Sequence, residues 1–295
     1  MRKTVFMKKA FLPLFLLLAN SVFAQFHLGV FAGAANYIGD LNDKPYKRTK
    51  PAFGLSLNYE ISDRVMLRSG FTLAKVEGGD PFSGSEFQKQ NRNLSFQSGI
   101  AEFNLLGELT VFNLYNIRWS PYVFAGIAVY HFNPFVRDSA NGKVFLQPLS
   151  TEGQGLADFP DRKPYALTQL AIPFGGGIKY NINDNVRLGL ELGFRRLFTD
   201  YLDDVSTSYP DEAALLAAKG PIAVRYSYRG GEVPGETPPY PDAGFPAKDA
   251  TRANPKTNDW YYFTGLHLTF RIGGGYGKTD ASGKNKGYGC PSNPM

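Results

Sequence analysis

The chain has 295 residues, a formal net charge of +6, 15% aromatic residues, 32 glycines and one cysteine. This composition favours an all-β protein over a helical one, and a single cysteine excludes an internal disulfide. The positive charge gives no argument for nucleic-acid binding, because four cations lie in the first nine residues and +2 remains once they are removed.

Residues 1–24 have the features of a secretory signal peptide. A positively charged start precedes the apolar run AFLPLFLLLANSVFA, which ends in small residues and is too short for a membrane span. Cleavage after Ala24 leaves Gln25 rather than cysteine at the new N-terminus, so we do not expect a lipoprotein. The remaining chain contains no apolar run long enough for a transmembrane helix.

From residue 26 onward, apolar and polar residues alternate with a period of two, which predicts β-strands. Near Ile100 to Phe103 the alternation slips by one, which predicts a bulge. In 119–132 both faces are apolar, so the sequence leaves the register of this strand open. The eight predicted strands are 26–38, 52–61, 64–76, 93–112, 119–132, 166–182, 186–199 and 259–272.

The connections between these strands alternate in length. Short ones are predicted near 62–63, 113–118 and 183–185, and long ones at 39–51, 77–92, 133–165 and 200–258. This pattern predicts an all-β fold over 25–272, an eight-stranded antiparallel up-and-down transmembrane β-barrel with short periplasmic turns and long extracellular loops. A short helix is predicted at 210–220, and a flexible periplasmic tail at 273–295.

The bulky apolar face of most strands is predicted to contact lipid, since an eight-stranded lumen is too narrow for a double layer of large side chains. The opposite, small and charged face then lines the lumen, where we expect a buried ion-pair network that closes the barrel. A conducting pore is the alternative interpretation. The predicted lumen charges are Glu60, Arg64, Arg68, Lys179, Arg187, Glu191, Arg195 and Arg271, with His267 beside them.

No catalytic, cofactor-binding or metal site is predicted. The three histidines are far apart and none has metal-ligand spacing to another ligand residue. His131 is the one candidate base at the barrel rim for a lipid A-modifying enzyme, but no serine partner is identifiable.

The segment RRLFTDYLDDVSTSY, residues 195–209, carries several carboxylates where the seventh strand ends. Calcium binding is one interpretation, but the spacing does not match the twelve-residue loop with alternating ligands. The other is a loop anchored by aspartates that cap backbone amides, or a partner contact. The residues predicted for this role are Asp200, Tyr201, Asp203 and Asp204, with Gly39 and Asp40 of the segment NYIGDLN.

Cys290 lies in the predicted periplasmic tail as an unpaired thiol in an oxidising compartment. It is either an incidental surface cysteine or the site of an intermolecular disulfide to another envelope protein.

Two segments at loop edges, NYIGDLN after the first strand and RRLFTDYLDDVSTSY after the seventh, together resemble the PorG family. These are outer-membrane β-barrels of the type IX secretion system of Bacteroidetes. The resemblance implies a non-catalytic barrel in the outer membrane of a Gram-negative cell, with both termini periplasmic. It also implies contact with a periplasmic ring built from a lipoprotein and its partner, and with other outer-membrane secretion components.

A narrow, filled barrel cannot pass a folded protein, so a role in secretion would require contact: anchoring or bracing the ring. The candidate contact surfaces are the three short turns, the N-terminal end and the tail. A structural or adhesive barrel that binds through its extracellular loops is the alternative function, and a lipid A-modifying enzyme is a further one.

Overall fold

The computed structural model describes residues 26–42, 44–82, 92–138, 142–232 and 244–272. The predicted signal peptide and the predicted tail with Cys290 lie outside these residues. In the part that is described, no helix is long and apolar enough to cross a membrane. The strands are β1 Phe26–Ile38, β2 Lys50–Ser62, β3 Val65–Gly79, β4 Ser95–Thr110, β5 Trp119–Asp138, β6 Gly142–Phe145, β7 Thr168–Asn183, β8 Val186–Leu197 and β9 Trp260–Ile272.

Eight of these strands form a closed antiparallel barrel. Neighbouring strands pair in the order β4, β3, β2, β1, β9, β8, β7, β5, and the pairing of β4 with β5 closes the ring. The short β6 pairs only with the end of β5 and lies outside the ring. Closure leaves no barrel strand with an unpaired edge, and the predicted fold class is confirmed.

The register corrects one local prediction. Pairing between β3 and β4 runs unbroken from Val65↔Leu109 to Gly79↔Ser95, so the bulge predicted near Ile100 is wrong. Ile100 points inward, 2% exposed, and Phe103 points outward, 55% exposed. The sequence pattern slips because an apolar side chain stands on the inner face. Irregular register occurs instead beside two short turns, at Glu60/Ser62 and at Asn181/Asn183.

Two of the predicted long loops are shorter than expected, because their strands continue past the ring. β3 extends to Gly79, and the last residues of β5 form a hairpin with β6 inside the predicted loop 133–165. Pairing continues there because each extension has a partner strand.

Two short helices lie in the longest loop, α1 Glu212–Lys219 and α2 Pro221–Ser227. Helix α1 is the predicted one. The Asp211 side chain caps it by accepting from the Ala214 amide, and Gly220, with φ +81°, ends it. Helix α2 follows at once and was not predicted.

The outer surface of the barrel is apolar over most of its circumference. Leu55, Leu170 and Ile127 are 60 to 65% exposed, and similar residues lie on every barrel strand. The register of β5 is now defined, because its odd-numbered residues, such as Val123 and Ile127, face outward. An exposed apolar surface of this extent marks a site of contact with another apolar phase.

Candidate functional site

The inside of the barrel holds a network of buried charges in three layers. In the layer nearest the short turns, the Glu60 carboxylate contacts His27 Nε2 at 2.9 Å, Arg187 at 3.3 Å and Arg271 at 3.5 Å. The Tyr115 hydroxyl also donates to Glu60, at 2.6 Å. Several donors from distant strands therefore satisfy one acid.

The middle layer contains two ion pairs between facing strands. Arg68 contacts Glu191 at 2.6 Å, and the Tyr122 hydroxyl donates to the same carboxylate at 2.8 Å. Lys179 pairs with Glu108. All of these charged side chains are nearly inaccessible to solvent, so each charge depends on its partner for stabilisation.

The layer nearest the long loops is built on Glu102. Arg195 reaches its two oxygens at 3.0 and 3.2 Å, a two-point contact of the strong Arg–carboxylate type. The Tyr261 hydroxyl donates at 2.6 Å and the Asn104 amide at 2.8 Å. Glu102 itself is 0% exposed.

We call these nine residues the lumen network: Glu60, Arg68, Glu102, Glu108, Lys179, Arg187, Glu191, Arg195 and Arg271. The sequence placed seven of them in the lumen, and the structure finds them there. The eighth predicted lumen charge, Arg64, does not line the lumen, so this prediction is wrong. Arg64 lies in the exposed turn between β2 and β3, because β2 ends at Ser62. Glu102 and Glu108 were not predicted, although their even spacing along the strand puts them on one face with Asn104.

The lumen network fills the barrel. A cavity of about 30 Å³ lies at mid-height, bordered by Arg68, Asn104 and His267. Such a volume holds about two waters. Waters there would hydrogen-bond to Arg68 Nη2 and Asn104 Oδ1, two buried polar atoms that have no partner among the described residues.

A second buried polar region lies at the end of the barrel opposite the short turns, where the long loops fold together. We call this region the cap. It comprises the described residues of 39–49, 146–167 and 198–259. Tyr37, at the end of β1, stands at its base and is 0% exposed. Its hydroxyl lies 2.5 Å from Asp203 and 3.1 Å from Asp259. Tyr37 thus joins the first strand to both ends of the longest loop.

The carboxylates of Asp203 and Asp259 also accept backbone hydrogen bonds. Asp203 accepts from the Val205 amide at 2.9 Å, and Asp259 accepts from the Leu202 amide at 2.8 Å. Burial, and then the charges of neighbouring aspartates, raise the pKa of Asp203 and of Asp259 well above the usual range. The protonated form of both carboxyl groups is therefore more favoured here than in an exposed aspartate.

Asp204 is held by hydroxyl groups from the neighbouring loop. Thr151 donates to it at 2.6 Å and Tyr165 at 2.7 Å. Burial raises the pKa of Asp204 to about 6, against an opposing effect of Arg252. Its φ of +67° is in the left-handed region that Asp tolerates better than most residues.

Asp200 is the least satisfied acid of the cap. It is 7% exposed, and its two buried oxygens accept no hydrogen bond of good geometry from the described residues. Burial raises the pKa of Asp200 to about 8, with a smaller opposing effect of Ser206. We call Asp200, Asp203, Asp204 and Asp259 the cap acids.

Glu152 and Arg252 connect the cap loops, and no sequence pattern indicated either residue. Arg252 contacts Glu152 at 2.9 Å, and both are almost fully buried. Glu152 also accepts from the Ser206 amide at 2.8 Å, from the Thr207 hydroxyl at 2.7 Å and from the Tyr201 hydroxyl at 3.1 Å. The predicted contact residue Tyr201 is thus turned inward, and its ring stacks on Tyr165 with centroids 4.8 Å apart.

Gly39 and Asp40 lie at the same base. A side chain at Gly39 would collide with Asp259 and with the Tyr37 ring, so the close approach of these groups requires glycine. The Asp40 carbonyl accepts from Arg92 at 2.9 Å, and Arg92 pairs with Asp80 at 2.7 Å. The structure therefore brings the two sequence segments, NYIGDLN and TDYLDD, into one site.

The contacts at the base of the cap hold the cap loops in place. Within the described ranges, no three His, Cys, Asp or Glu residues are placed to hold a metal ion together. Asp203, Asp204 and Asp259 instead contact hydroxyls and backbone amides, as the loop-anchoring interpretation expects, whereas the predicted anchor Asp200 accepts no hydrogen bond from the described residues. His131 lies at the exposed rim with its Nδ1 2.9 Å from the Thr168 hydroxyl, away from this site in the fold.

The family model described as "Domain of unknown function (DUF6089)" matches residues 8–220. No protein with a curated description matches the sequence. Neisserial surface protein A is 9% identical, with 84% of this chain and 97% of that chain covered and a TM-score of 0.41. OprG from Pseudomonas aeruginosa is 11% identical, with 84% and 98% covered and a TM-score of 0.38. The outer membrane enzyme PagL is 12% identical, with 83% and 99% covered and a TM-score of 0.31. TM-scores this low carry no argument about function.

Proposed function

The chain belongs to the DUF6089 family, whose description assigns no function, and we propose that it is a non-catalytic outer-membrane barrel of the type IX protein secretion machinery. In this proposal it anchors or braces the periplasmic ring complex at the membrane. The observation that carries the proposal is a filled lumen inside a barrel whose outer face is apolar.

The membrane placement rests on the outer face. Large apolar residues 40 to 65% exposed surround the ring, among them Phe53, Leu105, Val123, Ile178 and Leu266. In water such a surface would drive aggregation, whereas in a bilayer it is matched by lipid chains. A closed barrel satisfies its backbone hydrogen bonds internally, which a membrane span requires.

An aromatic pair lies at the short-turn end of this surface. Trp119 is 49% exposed, and its ring meets Phe112 edge-on with centroids 5.7 Å apart. Aromatic residues at the ends of a span are typical of the membrane–water interface.

The filled lumen supports a role in which the barrel acts by binding other components. The cavity of about 30 Å³ and the layered ion pairs leave no space for a protein chain to pass. A barrel of this kind can serve secretion by binding other components. The surface for the ring then lies at the short turns, at the adjoining chain ends, or at both.

The assignment to type IX secretion rests on the two segments that resemble the PorG family. Their residues meet through the contact of Tyr37 with Asp203, 166 positions apart in the chain. This junction gives the resemblance a structural reason, since both segments are needed to fix the same loop base.

Affinity isolation of the intact protein from native membranes tests the proposal. We expect periplasmic ring proteins to co-purify, and we expect gene deletion to block export of many cargoes. Charge reversal in a turn, Asp63→Lys with Arg64→Glu, and truncation after Gly275 separate the two contact surfaces. Replacement of the exposed cap residue Lys163 by Gln is the control. An intact barrel that recovers no ring protein, in a deletion strain with normal export, contradicts the proposal.

The ordered cap favours one second candidate, a barrel that binds external surfaces through its loops. Buried contacts such as Arg252–Glu152 hold the cap loops in one conformation, and a fixed surface binds a partner with less loss of entropy. Loss of a single adhesion phenotype on deletion, with export unchanged, would favour this candidate.

A further inference from the structure

A patch of cations and aromatic rings lies directly beyond the apolar belt. Outward-facing residues of β5 continue from Ile127 and Val129 towards the long loops, and β6 then pairs with the end of this strand. In this hairpin Phe135 lies opposite Phe145, and Arg137 lies opposite Lys143. Directly paired residues share a face of the hairpin. We call these four residues the β5–β6 patch.

The charges of the β5–β6 patch are not neutralised by the described protein. Arg137 and Lys143 are both exposed, and no described carboxylate forms an ion pair with either. Like charges directly opposite each other in a sheet are destabilising. The nearest acid in sequence, Asp138, pairs with Arg225 at 3.0 Å and with the Tyr226 hydroxyl at 2.5 Å. Within the described residues, the sheet therefore presents two positive charges side by side with no carboxylate paired to them.

The aromatic rings hold the cations close to the barrel. The Lys143 ammonium lies 4.0 Å from the centre of the Phe135 ring and 4.6 Å from that of Phe145. Arg137 lies over Phe135 at 6.0 Å. Such contacts offset part of the repulsion and hold the Lys143 ammonium against the two rings.

A third cation lies on the outer face two strands away from β5. Lys75 on β3 is exposed and is paired with Gly99, which is paired in turn with Asn133 on β5. A side-chain carbon at Gly99 would meet open space. The missing side chain at Gly99 therefore leaves a gap on the outer face between Lys75 and Asn133.

We infer that the β5–β6 patch binds the phosphate group of an anionic membrane lipid whose acyl chains lie along Val129 and Ile127. The inference rests on the proposed placement in a membrane, with the long loops at one surface. Paired cations match a phosphate dianion, and basic residues next to a bilayer gain attraction from anionic headgroups. Among phosphate-bearing lipids, lipid A fits this surface best, because its several acyl chains can cover the wide apolar outer face of the barrel.

Native mass spectrometry of the full chain in nanodiscs tests the inference. The discs contain phosphatidylcholine with lipid A, with dephosphorylated lipid A, or with neither. We expect the wild type to retain lipid A and Arg137→Gln with Lys143→Gln to retain it about tenfold more weakly. Dephosphorylated lipid A should bind the wild type as weakly as lipid A binds the variant.

Two further variants separate charge loss from structural damage. Arg137→Lys with Lys143→Arg keeps both charges and should keep lipid A bound. Lys163→Gln with Lys256→Gln removes the same charge from exposed loops elsewhere in the cap, and should bind like the wild type. Equal retention of lipid A by the patch variant and the wild type would overturn the inference and leave the membrane placement intact. Failure of the wild type to enter any disc would overturn that placement, and the inference with it.

Discussion

Buried acids occur in two regions of this molecule and are stabilised differently. Each glutamate of the lumen network contacts at least one Arg or Lys from a facing strand. The carboxylates of the cap acids form no ion pair with Lys or Arg in the part of the chain that is described. Asp203, Asp204 and Asp259 contact hydroxyls and backbone amides instead, and Asp200 has no such partner there.

The difference follows from how each region is built. Strand register fixes opposite charges across a narrow lumen, where low polarity makes an unpaired charge very costly. The cap is made of loops, whose own amides and hydroxyls supply donors. The lumen network therefore depends on complete ion pairs, whereas three of the cap acids depend on hydroxyl and amide donors.

The largest effect is expected from breaking a lumen pair. Arg195→Leu leaves Glu102 buried without a cation and should lower the free energy of unfolding by about 4 kcal/mol. Urea unfolding in lipid vesicles measures it. Adding Glu102→Gln to the same chain should recover most of the loss. Arg64→Ala, in the exposed turn, should change stability by about 0.5 kcal/mol or less. If Arg195→Leu were as mild as this control, the lumen would not depend on paired charges.

In the cap, the one fully buried ion pair should behave like a lumen pair. Glu152→Ala leaves Arg252 without its carboxylate and frees the Ser206 and Thr207 amides, at a cost of about 3 kcal/mol. Hydrogen exchange of residues 200–209 should rise while exchange in the barrel strands stays slow. Equal acceleration in both regions would mean that the cap and the barrel unfold as one unit.

The pH dependence of stability should distinguish the cap acids from the lumen. An unfolded Asp has its pKa near 3.8, whereas that of folded Asp200 is about 8. Between these values the unfolded chain releases a proton that the folded chain keeps, so stability falls as pH rises and the loss is complete above about pH 8. Asp200→Asn should therefore be more stable than the wild type at pH 9, by roughly 2 kcal/mol, and equal to it near pH 4.

Thermal unfolding from pH 4 to pH 9 checks this, with the exposed Asp161→Asn as a control. A wild type whose melting temperature is flat across that range, or a variant that shows no gain at pH 9, would show that Asp200 is not buried without a partner.

The smallest effect is expected at the junction of the two regions. Tyr37→Phe removes the hydroxyl shared by Asp203 and Asp259 but keeps the ring against Phe96, so the cost should be about 1 kcal/mol. Limited proteolysis should then cut the loop after β8 faster, with the barrel intact. Unchanged cleavage would mean that the backbone amides alone hold the two aspartates.

Much of the barrel could be predicted from its sequence, because one apolar face per strand leaves a strict period-two pattern. The period-two pattern did not predict the strand register where the inner face of a strand is also apolar. Tyr122, Phe124 and Tyr130 point inward on β5, which made both faces look alike, and Ile100 on β4 imitated a bulge. Glu102 and Glu108, on the same strand as Ile100, were not identified as lumen residues.

The cap could be predicted only in part. The carboxylates after β8 indicated a loop base, and the described structure places them there. Their partners could not be found, because Tyr37 reaches Asp203 across 166 residues of chain and Thr151 reaches Asp204 across 53. Spacing carries no information over such distances. A sequence shows which residues can pair in a strand register, and not which loops fold over one another.

We propose that this barrel acts by contact and not as a conduit, because its lumen is filled. Conductance of the purified full-length protein across a planar bilayer tests this proposal. We predict no steady open channel in the wild type, and none when the cap is loosened by Glu152→Ala, because the lumen network remains. A steady ohmic current through the wild type would contradict the account.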